Sequence, residues 1–295
     1  MTTPPHDTRP AAPALEVLAG LAACPVCGDG LAADPRTGGG ALRCPAGHAF
    51  DVARQGYANL LTGRRAGTAD TAAMVAARAE FLAAGHYAAL AGHLASRAAA
   101  LAPGAGPVLD AGAGPGTYLS AVLDARPGAA GLALDISKYA ARRAARAHPR
   151  AVAGVADVWR RLPVRTGAMA VVLNVFAPRN AGEYARVLAP GGVLLVATPA
   201  PGHLAELVAA AGMLEVGDRK DERLAATLAG GFAEVERAEV TMPLRLGRRA
   251  AAQAVLMGPS GHHLGEDRVR DALAGLPDPV EATASVVVTA WRART

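Results

Sequence analysis

Asp110-Ala111-Gly112-Ala113-Gly114-Pro115-Gly116-Thr117-Tyr118 is the stretch on which the reading of this 295-residue chain turns. It follows the short apolar run Val108-Leu109 and leads into a helical pattern. That gives a strand, a glycine turn and a helix. Glycines at such a turn let the backbone pass close to a ligand at the carboxyl end of a strand. Alone, the turn would serve a nicotinamide, a flavin or S-adenosylmethionine equally well.

Three acids tilt the choice. Asp110 directly precedes Gly112, Gly114 and Gly116, giving D-x-G-x-G-x-G. A carboxylate there suits the ammonium of a methionine moiety, whereas it would repel a dinucleotide pyrophosphate. Asp135, in Leu134-Asp135-Ile136-Ser137, ends the second strand, where an acid binds ribose hydroxyls. Asp157, in Ala156-Asp157-Val158, follows the third strand, where it can accept from an adenine amino group. The expected cofactor is therefore S-adenosyl-L-methionine. The competing reading makes the three acids helix caps.

Working outward, residues 108–109, 131–134, 168–174 and 192–198 read as strands with helices between them. This rhythm implies a parallel sheet covered on both faces. Residues 234–246 and 282–291 alternate like antiparallel edge strands flanking a helix at 248–257. The fold class expected is α/β: a Rossmann-like class I methyltransferase with a seven-stranded, mostly parallel sheet, spanning residues 106–295. Asn174, in Asn174-Val175-Phe176-Ala177-Pro178-Arg179-Asn180, ends a strand at the same crevice edge. It is expected to border the cofactor and, with the Pro178 region, to orient a substrate base. Glu183 is the candidate proton acceptor, with a helix-surface role as the alternative. His203 ends the next strand at the functional edge of the sheet.

Upstream, residues 71–101 are helical in pattern, broken at Gly85, with a second helix after Tyr87. Residues 63–70 are polar and Gly/Arg-rich, which suits a linker. The segment 63–105 is thus expected to join two domains.

The first of these, residues 15–62, carries Cys24-Pro25-Val26-Cys27 and Cys44-Pro45-Ala46-Gly47-His48. C-x2-C and C-x3-H at knuckle spacing supply a closed tetrahedral set, so Cys24, Cys27, Cys44 and His48 are expected to hold one structural zinc ion. Residues 28–42, with Asp34-Pro35-Arg36-Thr37-Gly38-Gly39-Gly40, read as a loose hairpin turn between short strands. Phe50, Tyr57 and Leu60 are expected to pack against the knuckles. Arg54 and Asn59 are candidate RNA contacts or structural residues.

The net charge is +5, and lysine occurs only at 138 and 220. Arg142, Arg143, Arg146, Arg150, Arg160 and Arg161 gather between Lys138 and Arg165, either to meet phosphates or as a solvated face. Residues 1–14 are polar and Pro-rich, without a secretory apolar run, and read as a disordered tail. No apolar stretch is long enough to span a bilayer. Three cysteines in the first fifty residues argue against a disulfide framework and for the cytoplasm.

Together these words resemble the RlmA family of 23S rRNA guanine-N1 methyltransferases, in particular its actinomycete tylosin-resistance type. The resemblance is carried by residues 24–27, 44–61 (CPAGHAFDVARQGYANLL), 74–90 (MVAARAEFLAAGHYAAL), 110–116, 141–149, 156–159, 173–180 (LNVFAPRN) and 203–207. It implies the same zinc ligands, and cofactor contacts from Tyr87, the Gly114-Pro115 turn and His203. It also implies a homodimer cradling a domain II hairpin of 23S rRNA, methylated at a guanine N1 where macrolides bind. Pro115 and the longer N-terminal tail depart from the pattern and leave the nucleotide open. The alternatives are a small-molecule methyltransferase and a non-catalytic RNA-binding protein that retains the fold.

Overall fold

The computed structural model describes residues 12–37, 40–63, 68–211, 227–258 and 265–294. The N-terminal part runs α1 (Ala12–Leu21), β1 (Ala32–Ala33), β2 (Ala41–Arg43), β3 (Ala49–Asp51) and β4 (Tyr57–Asn59). Two helices follow, α2 (Ala72–Ala83) and α3 (Ala88–Leu101). Thr71 caps α2 by accepting from the Met74 N–H at 3.2 Å. Then come β5 (Val108–Ala111), α4 (Thr117–Asp124), β6 (Gly131–Asp135), α5 (Lys138–Ala144), β7 (Ala151–Val155), β8 (Met169–Val175), α6 (Ala181–Val187), β9 (Leu188–Pro199) and α7 (Ala205–Ala211). The chain ends with β10 (Phe232–Leu246), α8 (Arg248–Leu256), α9 (Glu266–Leu273) and β11 (Val280–Ala293).

One eight-stranded sheet has the order β10-β11-β9-β8-β5-β6-β7-β4, and a three-stranded sheet, β1-β2-β3, belongs to the N-terminal module. Strands β4 to β9 of the large sheet are parallel, while β11 is antiparallel to β9 and β10. The strand order reverses between β5 and β8. Crevices for ligands open at such a switch, at the carboxyl ends of the strands.

Alternation along the strands explains why both faces are covered. Val108, Ala133, Val171 and Leu173 face one core, with Phe81, Leu90 and Leu94 of α2 and α3 and Leu119 and Leu123 of α4. Leu109, Leu132 and Val172 face the other, with Leu15 and Leu18 of α1, Leu42 and Phe50 of the module, and Tyr184 and Val187 of α6. Each such aliphatic side chain, when fully buried, contributes roughly 1.5–3 kcal/mol.

The seven strands expected for residues 106–295 are present, and the module adds an eighth. Tyr57–Asn59 pairs in parallel with β7, Tyr57 opposite Ala153. That register puts Ala58 and Tyr57 on opposite faces, so Tyr57 packs against the core of α2, α3 and α4 rather than the knuckles, whereas Phe50 and Leu60 do join the core containing Cys24 and Cys44. The reading of residues 282–291 as an edge strand is corrected: β11 lies between β9 and β10, and of these two strands β10 is the one at an edge. α2 and α3 belong to the core of the sheet. α1 begins at Ala12, inside the stretch read as a tail; residues 1–11, Gly38, Gly39 and linker residues 64–67 lie outside the described residues. Among the described residues, no helix is long and apolar enough to cross a membrane.

Candidate active site and metal centre

The knuckles are built by the backbone. The Cys24 carbonyl accepts from the Gly28 N–H at 2.8 Å, and the Cys44 carbonyl from the Gly47 N–H at 2.9 Å. Gly28 takes φ +84°, where a side chain is strained. The turns bring four ligand atoms within 4.8 Å of one another. The Cys27 and Cys44 sulfurs are 3.7 Å apart, and His48 Nδ1 lies 3.3 Å from Cys44 Sγ and 3.6 Å from Cys24 Sγ. A tetrahedral ion with Zn–S near 2.3 Å and Zn–N near 2.0 Å requires ligand separations of about 3.5–3.8 Å. The donor set therefore fits zinc held through His48 Nδ1, with no ligand position left over. Burial works against ionisation of the Cys44 thiol, but its hydrogen bonds to His48 outweigh that and bring it down to about 7.

Asp110 ends β5 at the switch point and is only 1 % exposed. Neither carboxylate oxygen has a well-formed hydrogen-bond partner among the described residues. Burial, aided by the nearby charge of Asp135 and opposed by the Leu119 backbone amide, pushes it up to about 7. The turn beyond it is tight. Gly112 has φ +88°, and a Cβ there would come 2.4 Å from the Ala177 Cβ. The Gly114 N–H donates to Asp135 Oδ2 at 2.8 Å and the Ser137 N–H to Oδ1 at 2.8 Å. Asp135 is thereby oriented, its remaining lone pairs open to hydroxyl donors. Burial raises its pKa, and those two amides oppose the rise.

Asp157 is buried behind the third strand. Its Oδ1 accepts from the Trp159 N–H at 3.1 Å, and Oδ2 lies 3.8 Å from Arg160 Nε. These contacts close a turn; no helix begins at Asp157, so the helix-capping alternative does not apply to it. The strand order places Asp157, Asp135, Asp110 and Asn174 at adjacent strand ends, as the sequence implied.

Asn174 is buried on β8. Its Nδ2 donates to the Pro178 carbonyl at 2.8 Å and to the Tyr184 hydroxyl at 2.9 Å, and that hydroxyl also donates to Pro178 at 3.0 Å. A carbonyl only accepts, so the amide nitrogen must face it. Asn174 Oδ1 is left buried without a partner.

Tyr87 and His203 meet: the hydroxyl lies 3.2 Å from His203 Nε2. His203 Nδ1 is 2.8 Å from the Ser285 carbonyl, so Nδ1 carries the proton and Nε2 accepts from Tyr87. Burial raises the Tyr87 hydroxyl above its ordinary range, which keeps it a donor.

Glu183 has a different job from the one proposed for it. Both oxygens accept from Arg186 Nε, at 2.9 and 3.0 Å, and Oε2 also accepts from the Leu162 N–H at 2.8 Å. Burial would raise its pKa, but Arg186 and the Leu162 amide outweigh that and lower it. A carboxylate so held is a poor proton acceptor and a good clamp between α6 and the loop after β7. Arg150 and Arg165 are likewise structural. Arg150 donates to the carbonyls of Leu123, Arg126 and Ala129, and Arg165 to those of Ala19 and Ala22. Lys138, Arg142, Arg143, Arg146, Arg160 and Arg161 are exposed, as are Arg54 and Asn59.

Sequence reasoning missed the role of Arg78, which bonds Asp70 and the Met257 carbonyl and lies against the Gly114 turn. It missed Ser137 holding the Asp70 carbonyl at 2.8 Å. It also missed Asn180, whose Nδ2 donates to the Val158 and Arg160 carbonyls at 3.1 and 2.8 Å and clasps the loops after β7 and β8. These residues lie inside quoted segments, but their roles depend on tertiary partners that the segments do not show.

Two outcomes follow. Asp110 has an ordinary value of 3.8 and a folded value of about 7. A raised carboxyl stabilises the fold below the unfolded value, and that stability is lost as pH rises toward 7. Asp110→Asn should therefore melt higher than wild type at pH 8, by on the order of 5 °C, with the gap closing toward pH 4. It should also lose the thermal shift given by S-adenosylhomocysteine. Equal melting at both pH values would contradict the assignment. For the metal centre, elemental analysis should find one zinc per chain, and chelation should lower a single whole-chain melting transition, because the module covers one face of the sheet. A separate module transition, with the main one unmoved, would contradict this.

The comparisons with known proteins follow this geometry. A family model described as "RlmA, N-terminal", a zinc ribbon, matches residues 22–64. A 23S rRNA (guanine(748)-N(1))-methyltransferase of Streptomyces fradiae is 51% identical over 272 residues, covering 91% of this chain and 95% of that one. A Micromonospora griseorubida protein, provisionally assigned as a 23S rRNA (guanine-N(1)-)-methyltransferase, is 50% identical over 287 residues, covering 91% and 96%. Identity of this extent spans the zinc module and the sheet alike. The chain belongs to the family of 23S rRNA (guanine-N(1)-)-methyltransferases.

Proposed function

We propose that this chain methylates a guanine N1 in a domain II hairpin of 23S rRNA, using S-adenosylmethionine, and that it contributes to macrolide resistance of the tylosin type. The observation that carries the cofactor is the buried carboxylate of Asp110 at the switch point, with no well-formed hydrogen-bond partner for either oxygen. A buried charge without a partner is expensive, and a cationic ligand group answers it. Asp110 would hold the ammonium, Asp135 the ribose hydroxyls, and Asp157 the adenine side. Gly112, Gly114, Pro115 and Gly116 would let the backbone approach. Tyr87 and His203 would close the β8–β9 side. When bound, S-adenosylmethionine supplies an electrophilic sulfonium methyl group.

The protein's own part is orientation. Guanine N1 carries a proton that must leave on methylation. Asn174 stands at the end of β8 with its Oδ1 buried, and it would orient the base edge so that N1 faces the methyl group. Glu183 is not needed for this step: the N1–CH3 bond would form as the S–CH3 bond breaks, leaving S-adenosylhomocysteine, and the N1 proton would pass to solvent water. Positioning alone can supply much of the rate. The base has to leave its stack, which is easiest from a hairpin loop.

The RNA side is supported by charge and exposure. Trp159 and Val26 are each 56 % exposed, and Arg160 and Arg161 are exposed beside them. Arg161 lies against Gly28 of the first knuckle. The zinc module and the crevice rim thus share one basic surface. A homodimer that cradles the hairpin between two such surfaces rests on the family resemblance, and a cytoplasmic location on the cysteines being gathered in a metal site.

The test is methyl transfer from labelled S-adenosylmethionine to 23S rRNA lacking its modifications, mapped by primer extension. One stop, at a guanine in the domain II tunnel hairpin, is expected. Cofactor binding without label in rRNA would overturn the reading in favour of a small-molecule substrate or a non-catalytic role.

A further inference from the structure

Phe176 follows β8 directly and is one of the few large apolar side chains left open to solvent, at 42 % exposure. Its φ is +53°, in the left-handed region that a bulky residue rarely enters. Glycine or asparagine would hold that conformation at less strain. The surroundings impose it. The Phe176 N–H donates to the Ala197 carbonyl of β9 at 3.0 Å. The next residue, Ala177, is pressed against Gly112 of the cofactor turn. A packing role does not explain the ring, because it is not packed away.

The ring completes a small aromatic mouth. Its centroid lies 6.2 Å from Tyr87 and 6.0 Å from His203, and those two rings are 6.2 Å apart. Tyr87 and His203 are locked to each other by their hydrogen bond, so Phe176 is the member that presents a free face. Strand order separates this place from the adenosine side. Asp135 and Asp157 lie at β6 and β7, whereas Phe176 lies beyond β5 at β8. Backbone strain maintained by its surroundings is characteristic of working sites.

We propose that Phe176 is a positioning residue, the platform on which the target guanine stacks after leaving the RNA helix. A planar, neutral base matches an open apolar face. The inference deepens the guanine reading above and rests on it.

The experiment compares wild type with Phe176→Ala, Phe176→Trp and Phe176→Gly on a transcribed domain II fragment of 23S rRNA, with S-adenosylhomocysteine affinity and melting temperature measured on each. Stacking of one base on an aromatic ring corresponds to about a ten- to hundredfold effect. Phe176→Ala should lose that much in kcat/KM while S-adenosylhomocysteine affinity and melting stay as in wild type. Phe176→Trp should recover most of the activity. Phe176→Gly, which relieves the strain and removes the ring, should stay as poor as alanine. In the same fragment with 2-aminopurine at the target position, fluorescence should be quenched by wild type and Phe176→Trp and not by Phe176→Ala. Alanine or glycine variants within twofold of wild type would overturn the assignment, as would a loss of S-adenosylhomocysteine affinity equal to the loss of kcat/KM. Wild type that binds cofactor yet methylates no RNA would overturn the guanine reading itself, and this inference with it.

Discussion

The rest of the site depends on one uncompensated carboxylate. Asp110 sits at the end of the central strand, buried, with no well-formed partner for either oxygen. Folding alone would favour an apolar residue there, since burying a polar group without a hydrogen bond is costly. The chain keeps the acid at the point where strand order reverses and the crevice opens. Around it, the glycine turn brings backbone close, and the Gly114 and Ser137 amides aim Asp135 into the same space. The free protein thus holds a local deficit that a positively charged ligand removes. This is the general logic of a preorganised binding site, where stability is given up locally for complementarity.

The zinc module is attached to this site more firmly than a tethered domain. Its last strand extends the large sheet, and Leu42 and Phe50 help to cover one face of that sheet. Arg161 lies on the first knuckle, while Asn180 clasps the loop that carries Arg160 to the loop that carries Phe176. The basic surface proposed to meet RNA and the mouth proposed to receive one base are therefore joined through the same sheet and loops. The metal's tetrahedral geometry sets the position of the knuckles, and the sheet sets the position of the mouth. On this proposal, recognition of the hairpin and placement of its base would be mechanically linked.

Sequence legibility followed the range of the interactions. D-x-G-x-G-x-G, the three acids and the two knuckles are local patterns, and each lies where the spacing implied. The break at Gly85 is local too, fixed by its φ of +83°. Strand β7 was placed ahead of Asp157 without bounds, because Ala151-Val152-Ala153-Gly154-Val155 is too small and uniform to show an alternating pattern. The pairing of Tyr57–Asn59 with that strand joins residues nearly a hundred positions apart and leaves no local trace. Glu183 looked like a base because an acid near a crevice is indistinguishable in sequence from an acid clamped by arginine; Arg186, one helical turn on, is what decides. Arg150 counted toward a basic cluster, yet it spends its guanidinium on three backbone carbonyls. The left-handed backbone at Phe176 is imposed by tertiary contacts on a residue that does not favour it.

The most direct test of the central claim is the ionisation of Asp110 itself, read by isotope-edited infrared difference spectroscopy of wild type against Asp110→Asn, with and without S-adenosylhomocysteine. At pH 6, below its value of about 7, the free protein should show a protonated carboxylic acid at this position. Binding should convert it to a carboxylate, because the ligand's ammonium supplies the missing partner. A carboxylate in the free protein at pH 6, unchanged by the ligand, would contradict the account.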